Sequence, residues 1–259
     1  MMKRNNFPFS AVLGLNHAKT AILIVLVNPR AGGLLISGPR GIGKSTLMRS
    51  TQELIERPWR DIPVSVTEDR LFGTIDTEKA IYSGQKKLYP GIINEADQGV
   101  LYLDDANLLR EDLLDSILNI AEVGAYQLER DGLSLRCDTS FTVIAAINPE
   151  SGMLSGACLD QFGLFVNVDN IHDENTRVEI LKRTISFEKD CASFCNLWKL
   201  ENEKIKKAIH SAMSLLPKVV VSSAMIQLAS VYALKAHVSG HRADIYFCLL
   251  YTSDAADEL

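Results

Sequence analysis

The chain has 259 residues, 47% of them hydrophobic, enough for one large domain or two smaller ones with a substantial core. A formal net charge of −5 excludes a globally basic nucleic-acid binder and leaves only local basic patches. The start Met1-Met2-Lys3-Arg4-Asn5-Asn6 is followed by no adequate signal-peptide core, and the longest apolar run, Ala21 to Val27, is too short for a bilayer, so the sequence points to a cytoplasmic protein without a membrane segment.

Asn16 to Val27 reads as a helix ended by Pro29, and Gly33-Leu34-Leu35-Ile36 as a buried strand. Gly38-Pro39-Arg40-Gly41-Ile42-Gly43-Lys44-Ser45 then fits the phosphate-loop pattern, and Thr46-Leu47-Met48-Arg49 starts a helix running to about Arg57. Pro58-Trp59-Arg60-Asp61 reads as a turn and Val64-Ser65-Val66 as a short strand. Residues 67–98 form a long connection, punctuated by Gly73, Gly84, Pro90 and Gly91, with one helix around Thr77 to Tyr82. Val100-Leu101-Tyr102-Leu103 is a buried strand ending in Asp104-Asp105. Asn107 to Val123 is a helix with Leu109, Leu113, Ile117, Ile120 and Ala121 on one face.

Tyr126 to Leu135 alternates across Asp131-Gly132, a hairpin signal, and Phe141 to Ile147 is a further apolar strand closed by Asn148-Pro149. From about Asp173 the pattern is helical only: Glu174 to Phe187, Glu201 to Leu215, and a third helix capped by Ser222 with the stripe Met225, Leu228, Ala229, Tyr232, Ala236. The fold class is therefore α/β, a mostly parallel sheet with helices on both faces, followed by a small helical domain. Cys137, Cys158, Cys191, Cys195 and Cys248 show no CxxC spacing and no His cluster, so they read as reduced thiols and not as a zinc site.

The phosphate loop carries the chemistry. Its glycines let backbone N–H groups turn inward around phosphate oxygens, and the helix N-terminus adds partial positive charge. Lys44 reaches the β- and γ-phosphates of ATP, while the Ser45 hydroxyl ligates Mg²⁺. A Gly-rich turn capping a helix is the plainer reading of the same residues. The second half of such a site needs a carboxylate on a strand tip, and Asp104 fits that role toward Mg²⁺. The next residue, Asp105, stands where Glu is expected to polarise the attacking water; it is shorter by one methylene, roughly 1.5 Å, but still able to act as a base. Asp104-Asp105 would equally serve as a helix cap. Asn148, at the next strand end, either bonds the γ-phosphate or water, or simply forms an Asn-Pro turn.

With these residues in place, the sequence resembles the AAA+ ATPase subunit of magnesium chelatase, the I-type motor, from Phe7 to about Phe247. Phe7-Pro8-Phe9-Ser10-Ala11-Val12-Leu13-Gly14 is similar to the family's N-terminal segment. Asp69-Arg70-Leu71-Phe72-Gly73-Thr74-Ile75-Asp76, followed by Gly91, resembles its insertion near the second helix. Gly99 to Leu109 resembles Walker B, Glu129-Arg130-Asp131-Gly132 the hairpin before sensor 1, and Asn148-Pro149-Glu150 sensor 1 itself. The resemblance implies a hexameric ring of identical subunits with ATP and Mg²⁺ between neighbours. It implies two further partners, a D-type subunit with an integrin-like domain and a large porphyrin-binding subunit that inserts metal into a tetrapyrrole. It also implies that Gly38 to Thr46 and Arg242, at the start of a sensor 2 helix, contact the nucleotide.

Three departures stand out. Asp105 replaces Glu. Asp160-Gln161-Phe162-Gly163 places a neutral Gln161 where the family has its arginine finger. Beyond about Phe247 the resemblance stops, so residues 1–189 read as the nucleotide-binding domain, 190–247 as a partial lid and 248–259 as a non-native tail or a divergent helix. The alternatives to a magnesium or cobalt chelatase motor are a MoxR-like remodelling ATPase and a nucleotide-binding ring subunit with weak hydrolysis. DNA handling is hinted at only by Lys86-Lys87, a pair that also suits a solvated loop.

Overall fold

The computed structural model describes residues 6–75, 88–130, 133–236 and 241–258. In chain order its elements are helix α1 (Asn16–Val27), strand β1 (Leu34–Ser37), α2 (Lys44–Thr51), β2 (Trp59–Ile62), α3 (Glu68–Phe72), β3 (Gly73–Ile75), β4 (Leu88–Pro90), α4 (Ile92–Glu95) and β5 (Gly99–Leu103). Next come α5 (Glu111–Val123), β6 (Ala125–Arg130), β7 (Leu133–Asp138), β8 (Phe141–Ile147), α6 (Gly156–Leu159) and β9 (Leu164–Asn167). The last four are α7 (Glu174–Lys189), α8 (Cys191–Leu215), α9 (Ser223–Lys235) and α10 (Arg242–Glu258). The helix expected at Thr77 to Tyr82, Gly84, the Lys86-Lys87 pair and the Asp131-Gly132 turn lie outside the described residues. No single helix among the described residues is long and apolar enough to cross a membrane.

The chain divides into two compact units, Met1–Glu56 with Gly163–Leu259, and Arg57–Phe162. In the first, β1 and β9 pair in parallel, Leu34 opposite Leu164 and Ser37 opposite Asn167. Leu34, Leu35 and Ile36 are essentially inaccessible, as an apolar run in a parallel sheet must be. Each such side chain contributes about 1.5–3 kcal/mol by leaving water. Among the described residues no strand follows β9. The helix expected from Glu201 begins instead at Cys191, because the Asp190 carboxylate accepts from the Ser193 N–H and caps it there (3.0 Å). Ser222 caps α9 as its type suggests, accepting from the Met225 N–H. That helix buries only Ala229 and Ala233; Leu228 and Tyr232 stay about half exposed. The last helix, α10, runs unbroken from Arg242 through residues 248–258. Its Leu249 carbonyl and Ser253 hydroxyl accept from the buried Asn28 amide at 3.2 and 3.1 Å, and its Tyr246 ring lies where a side chain on Gly32 would have to go.

Lys19, on α1, donates to the Val12 carbonyl. Burial, and then the nearby Arg183 charge, push its ammonium down to about 8. Below that value folded and unfolded chains both hold the proton, and the cost of the buried charge is fully present. As pH rises from about 8 toward the ordinary 10.5, the folded chain sheds the proton first, so stability rises. Urea melts at pH 7.5 and 9.5 should show the parent gaining on Lys19→Met between the two; a constant difference would contradict this linkage.

In the second unit β2, β5 and β8 pair in parallel, with Ile62 opposite Leu103 and Leu103 opposite Ala145. The turn expected at Pro58 to Asp61 is thus corrected: Trp59–Ile62 is a strand, drawn into the ladder by β5 although its two central residues, Arg60 and Asp61, are charged. Val64–Val66, expected as a strand, is an exposed turn after Pro63 in which only Val66 is buried. The helix expected from Asn107 starts at Glu111, preceded by a single 3-10 turn at Ala106–Leu108. Of the expected face, Leu113, Ile117 and Ile120 are buried, joined by Leu114 and Leu118, whereas Leu109 precedes the helix and Ala121 is half-buried. The second helix is also shorter than expected, ending at Thr51 and passing into a 3-10 turn at Gln52–Leu54. Antiparallel pairs β3–β4 and β6–β7 complete this unit.

Candidate nucleotide-binding site

The phosphate loop lies in the first unit, between β1 and α2. Gly41 (φ +79°) and Gly43 (φ +97°) are both left-handed, a conformation that glycine adopts without the steric cost a side chain brings. Gly38 is required for a different reason: a Cβ there would lie 2.6 Å from the Val168 carbonyl, at the end of β9. Lys44 is 8% exposed, and its ammonium donates to the loop's own carbonyls at Gly38 and, at 2.8 Å, Pro39. A buried cation is thereby tied to two loop carbonyls at the N-terminus of α2, where anions are favoured. Pro39 and Ile42 are half-buried, Arg40 and Thr46 exposed, and Ser45 half-buried in the first helical turn.

Asp104, Asp105 and Asn148 lie in the second unit, at the ends of the paired strands β5 and β8. Both aspartates are partly exposed. Asp105 is left-handed (φ 50°, ψ 50°), a conformation that Asp tolerates better than most residues. Asn148 is 2% exposed, accepts from the Glu150 N–H (3.2 Å) and donates to the Ser151 hydroxyl (3.3 Å). The turn reading of Asn148 is therefore part of its structure. Sequence reasoning missed Asn107. Its amide donates to the Asn148 carbonyl (3.1 Å) and the Gly152 carbonyl (2.9 Å), tying the two strand ends together. Its Oδ1 is buried with no partner among the described residues, an acceptor suited to water. An Asn two residues after a carboxylate pair was the only signal.

Gln161 is half-buried, and its amide donates back to the Ala157 carbonyl at 3.4 Å. The short helix α6 before it is capped by Ser155 and held to α5 by Cys158, whose thiol donates to the Asp115 carboxylate at 2.9 Å. Burial, and then that carboxylate, push the Cys158 thiol above its ordinary range. Arg242 lies in the first unit, exposed at the first turn of α10, beside the contact of His241 Nδ1 with the Asp244 carboxylate (3.5 Å).

Residues 33–161 match the AAA domain of the dynein-related subfamily. The magnesium-chelatase 38 kDa subunit of Chlorobaculum tepidum is 32% identical over 280 aligned positions, covering 92% of this chain and 71% of the relative. The chain belongs to the magnesium-chelatase 38 kDa subunit family. Other members are similarly related: the magnesium-chelatase subunit ChlI homolog of Methanocaldococcus jannaschii at 32% (95% of this chain, 77% of the relative) and the 38 kDa subunit of Rhodobacter capsulatus at 35% (82% and 70%). Among solved structures, a chain from the cryo-EM-based complex of magnesium-chelatase subunits BchI and BchD superposes with a TM-score of 0.61 at 30% identity, covering 98% of this chain and 95% of that one.

The residues present fit a magnesium nucleotide. The loop offers a buried ammonium at a helix N-terminus, and the Ser45 hydroxyl and the Asp104 carboxylate, each in its own unit, are hard oxygens of the kind Mg²⁺ takes. Among the described residues there is no cluster of three or more His, Cys, Asp or Glu.

Proposed function

We propose that this chain is the ATP-binding and ATP-hydrolysing motor of a magnesium-chelatase-type complex in the cytoplasm. The observation that carries the reading is the loop itself: two left-handed glycines around a buried Lys44 ammonium at a helix N-terminus. Gly38 to Ser45 bind and orient the triphosphate, with Thr46 completing the first turn. Ser45 and Asp104 hold Mg²⁺, which when bound neutralises charge developing on the phosphates. Asp105 accepts a proton from the attacking water, and Asn148 fixes that water or the γ-phosphate. Arg242 contacts the γ-phosphate. Subunits assemble as a ring, each presenting Gln161 to its neighbour's nucleotide. Turnover drives a D-type partner and a large tetrapyrrole-binding partner that inserts magnesium, or cobalt, into its substrate.

Reconstitution of the chain with those two partner types, Mg-ATP and a porphyrin tests this reading; ATP-dependent loss of free-porphyrin fluorescence is the expected result. Absence of insertion with an active partner pair would refute it. A second reading, a ring subunit with slow hydrolysis, is favoured by one feature: a neutral Gln161 cannot neutralise charge on the transferred phosphoryl group.

A further inference from the structure

We propose that Arg183 is a positioning residue that couples α7 and α8 to the phosphate loop through residues 10–15. This rests on the reading of Gly38 to Ser45 as an ATP site. Three consecutive residues of the N-terminal segment are held by side chains from elsewhere in the first unit. Asn202 on α8 accepts from both the Ser10 N–H (2.9 Å) and the Ser10 hydroxyl (2.7 Å). Arg183 on α7 donates to the Ala11 carbonyl at 3.0 Å. Lys19 on α1 donates to the Val12 carbonyl. Apart from one 3-10 turn at Phe9–Ala11, the path from residue 6 to 15 has no regular structure, so these bonds set its course.

Arg183 is fixed on two further sides. Its Nε pairs with Glu179 at 2.9 Å, and its guanidinium lies 4.5 Å from the centre of the Trp198 ring on α8. The side chain is 19% exposed. One planar group thus reads the relative placement of α7, α8 and the segment at once. Downstream the segment reaches the loop. Gly14 (φ +68°) passes so close to Ile171 that a Cβ would lie 2.6 Å from its Cδ1. Leu15 is left-handed at φ 53°, and its Cδ1 lies 3.9 Å from the Cβ position of Gly43. A shift of α7 or α8 pulls on the Ala11 carbonyl, and farther along the same segment the Leu15 side chain is the neighbour that a Cβ on Gly43, the loop glycine before Lys44, would meet.

The stack supplies its own reporter. Trp198 and Trp59 are the two tryptophans of the chain. In a Trp59→Phe background, Mg-ATP is expected to change Trp198 emission saturably, with the half-point given by displacement of a fluorescent ATP analogue. Arg183→Ala should weaken ATP about tenfold and abolish the emission change. Arg183→Lys, which keeps a donor for Ala11, should recover part of the affinity. Asn202→Ala releases Ser10 without touching the stack and should weaken ATP in the same direction, which guards against an Arg183→Ala chain that fails to fold. Parent-like ATP affinity in both alanine variants, or an unresponsive Trp198 in a chain that binds the analogue, would overturn the proposal. A parent chain that binds no analogue would overturn the nucleotide-site reading and this proposal with it.

Discussion

Replacing Lys44 by alanine is expected to weaken ATP by at least about 100-fold and to remove hydrolysis, with the fold retained. The ammonium is buried, so its charge is poorly screened toward the β- and γ-phosphates it is proposed to bind, and charge-assisted bonds of this kind are each worth about 1.5–3 kcal/mol. The cost to the fold is smaller: the carbonyls of Gly38 and Pro39 lose their donor, and one buried acceptor left unpaired costs about 1–3 kcal/mol. Calorimetric titration with Mg-ATP, alongside a thermal melt, checks both halves. ATP binding by Lys44→Ala within a few-fold of the parent would place the nucleotide elsewhere.

The second large effect concerns catalysis between subunits. Gln161→Arg combined with Asp105→Glu is expected to raise single-turnover hydrolysis by roughly 10³ or more, since an arginine finger supplies 10³–10⁵ in other phosphate-loop enzymes. Most of the gain should come from position 161. Glu at 105 reaches further, but it must hold the left-handed backbone that Asp tolerates better, so Asp105→Glu alone should change little. In the proposed ring, where residue 161 faces a neighbour's nucleotide, the rate should rise with protein concentration. Mixing the parent with a Lys44→Ala, Gln161→Arg chain, inactive by itself, should also raise turnover. A mixture no faster than the parent alone would remove Gln161 from the finger position.

Much of this was legible because it depends on local rules. The phosphate loop follows from glycine spacing, β1, β5 and β8 from short apolar runs, and α1 from an apolar stretch closed before a proline. What escaped depends on partners distant in sequence. Trp59–Ile62 is a strand because β5 offers it a ladder, not because of its own residues. The single turn before α5 follows from the left-handed Asp105, which no periodicity reveals. The role of Asn107 requires knowing that the fold brings the carbonyls of residues 148 and 152 within reach of one amide.

The bond from Asn28 to the last helix has a bearing on cooperativity. Asn28 sits at the end of α1, a few residues before the strand that feeds the phosphate loop, and its amide is satisfied by Leu249 and Ser253. Fraying of α10 back past residue 249 strands that buried amide, at a cost of about 1–3 kcal/mol. Opening of the C-terminal turns and loosening of the chain ahead of β1 are therefore one local-unfolding equilibrium, and amides of both regions should exchange with solvent hydrogen together.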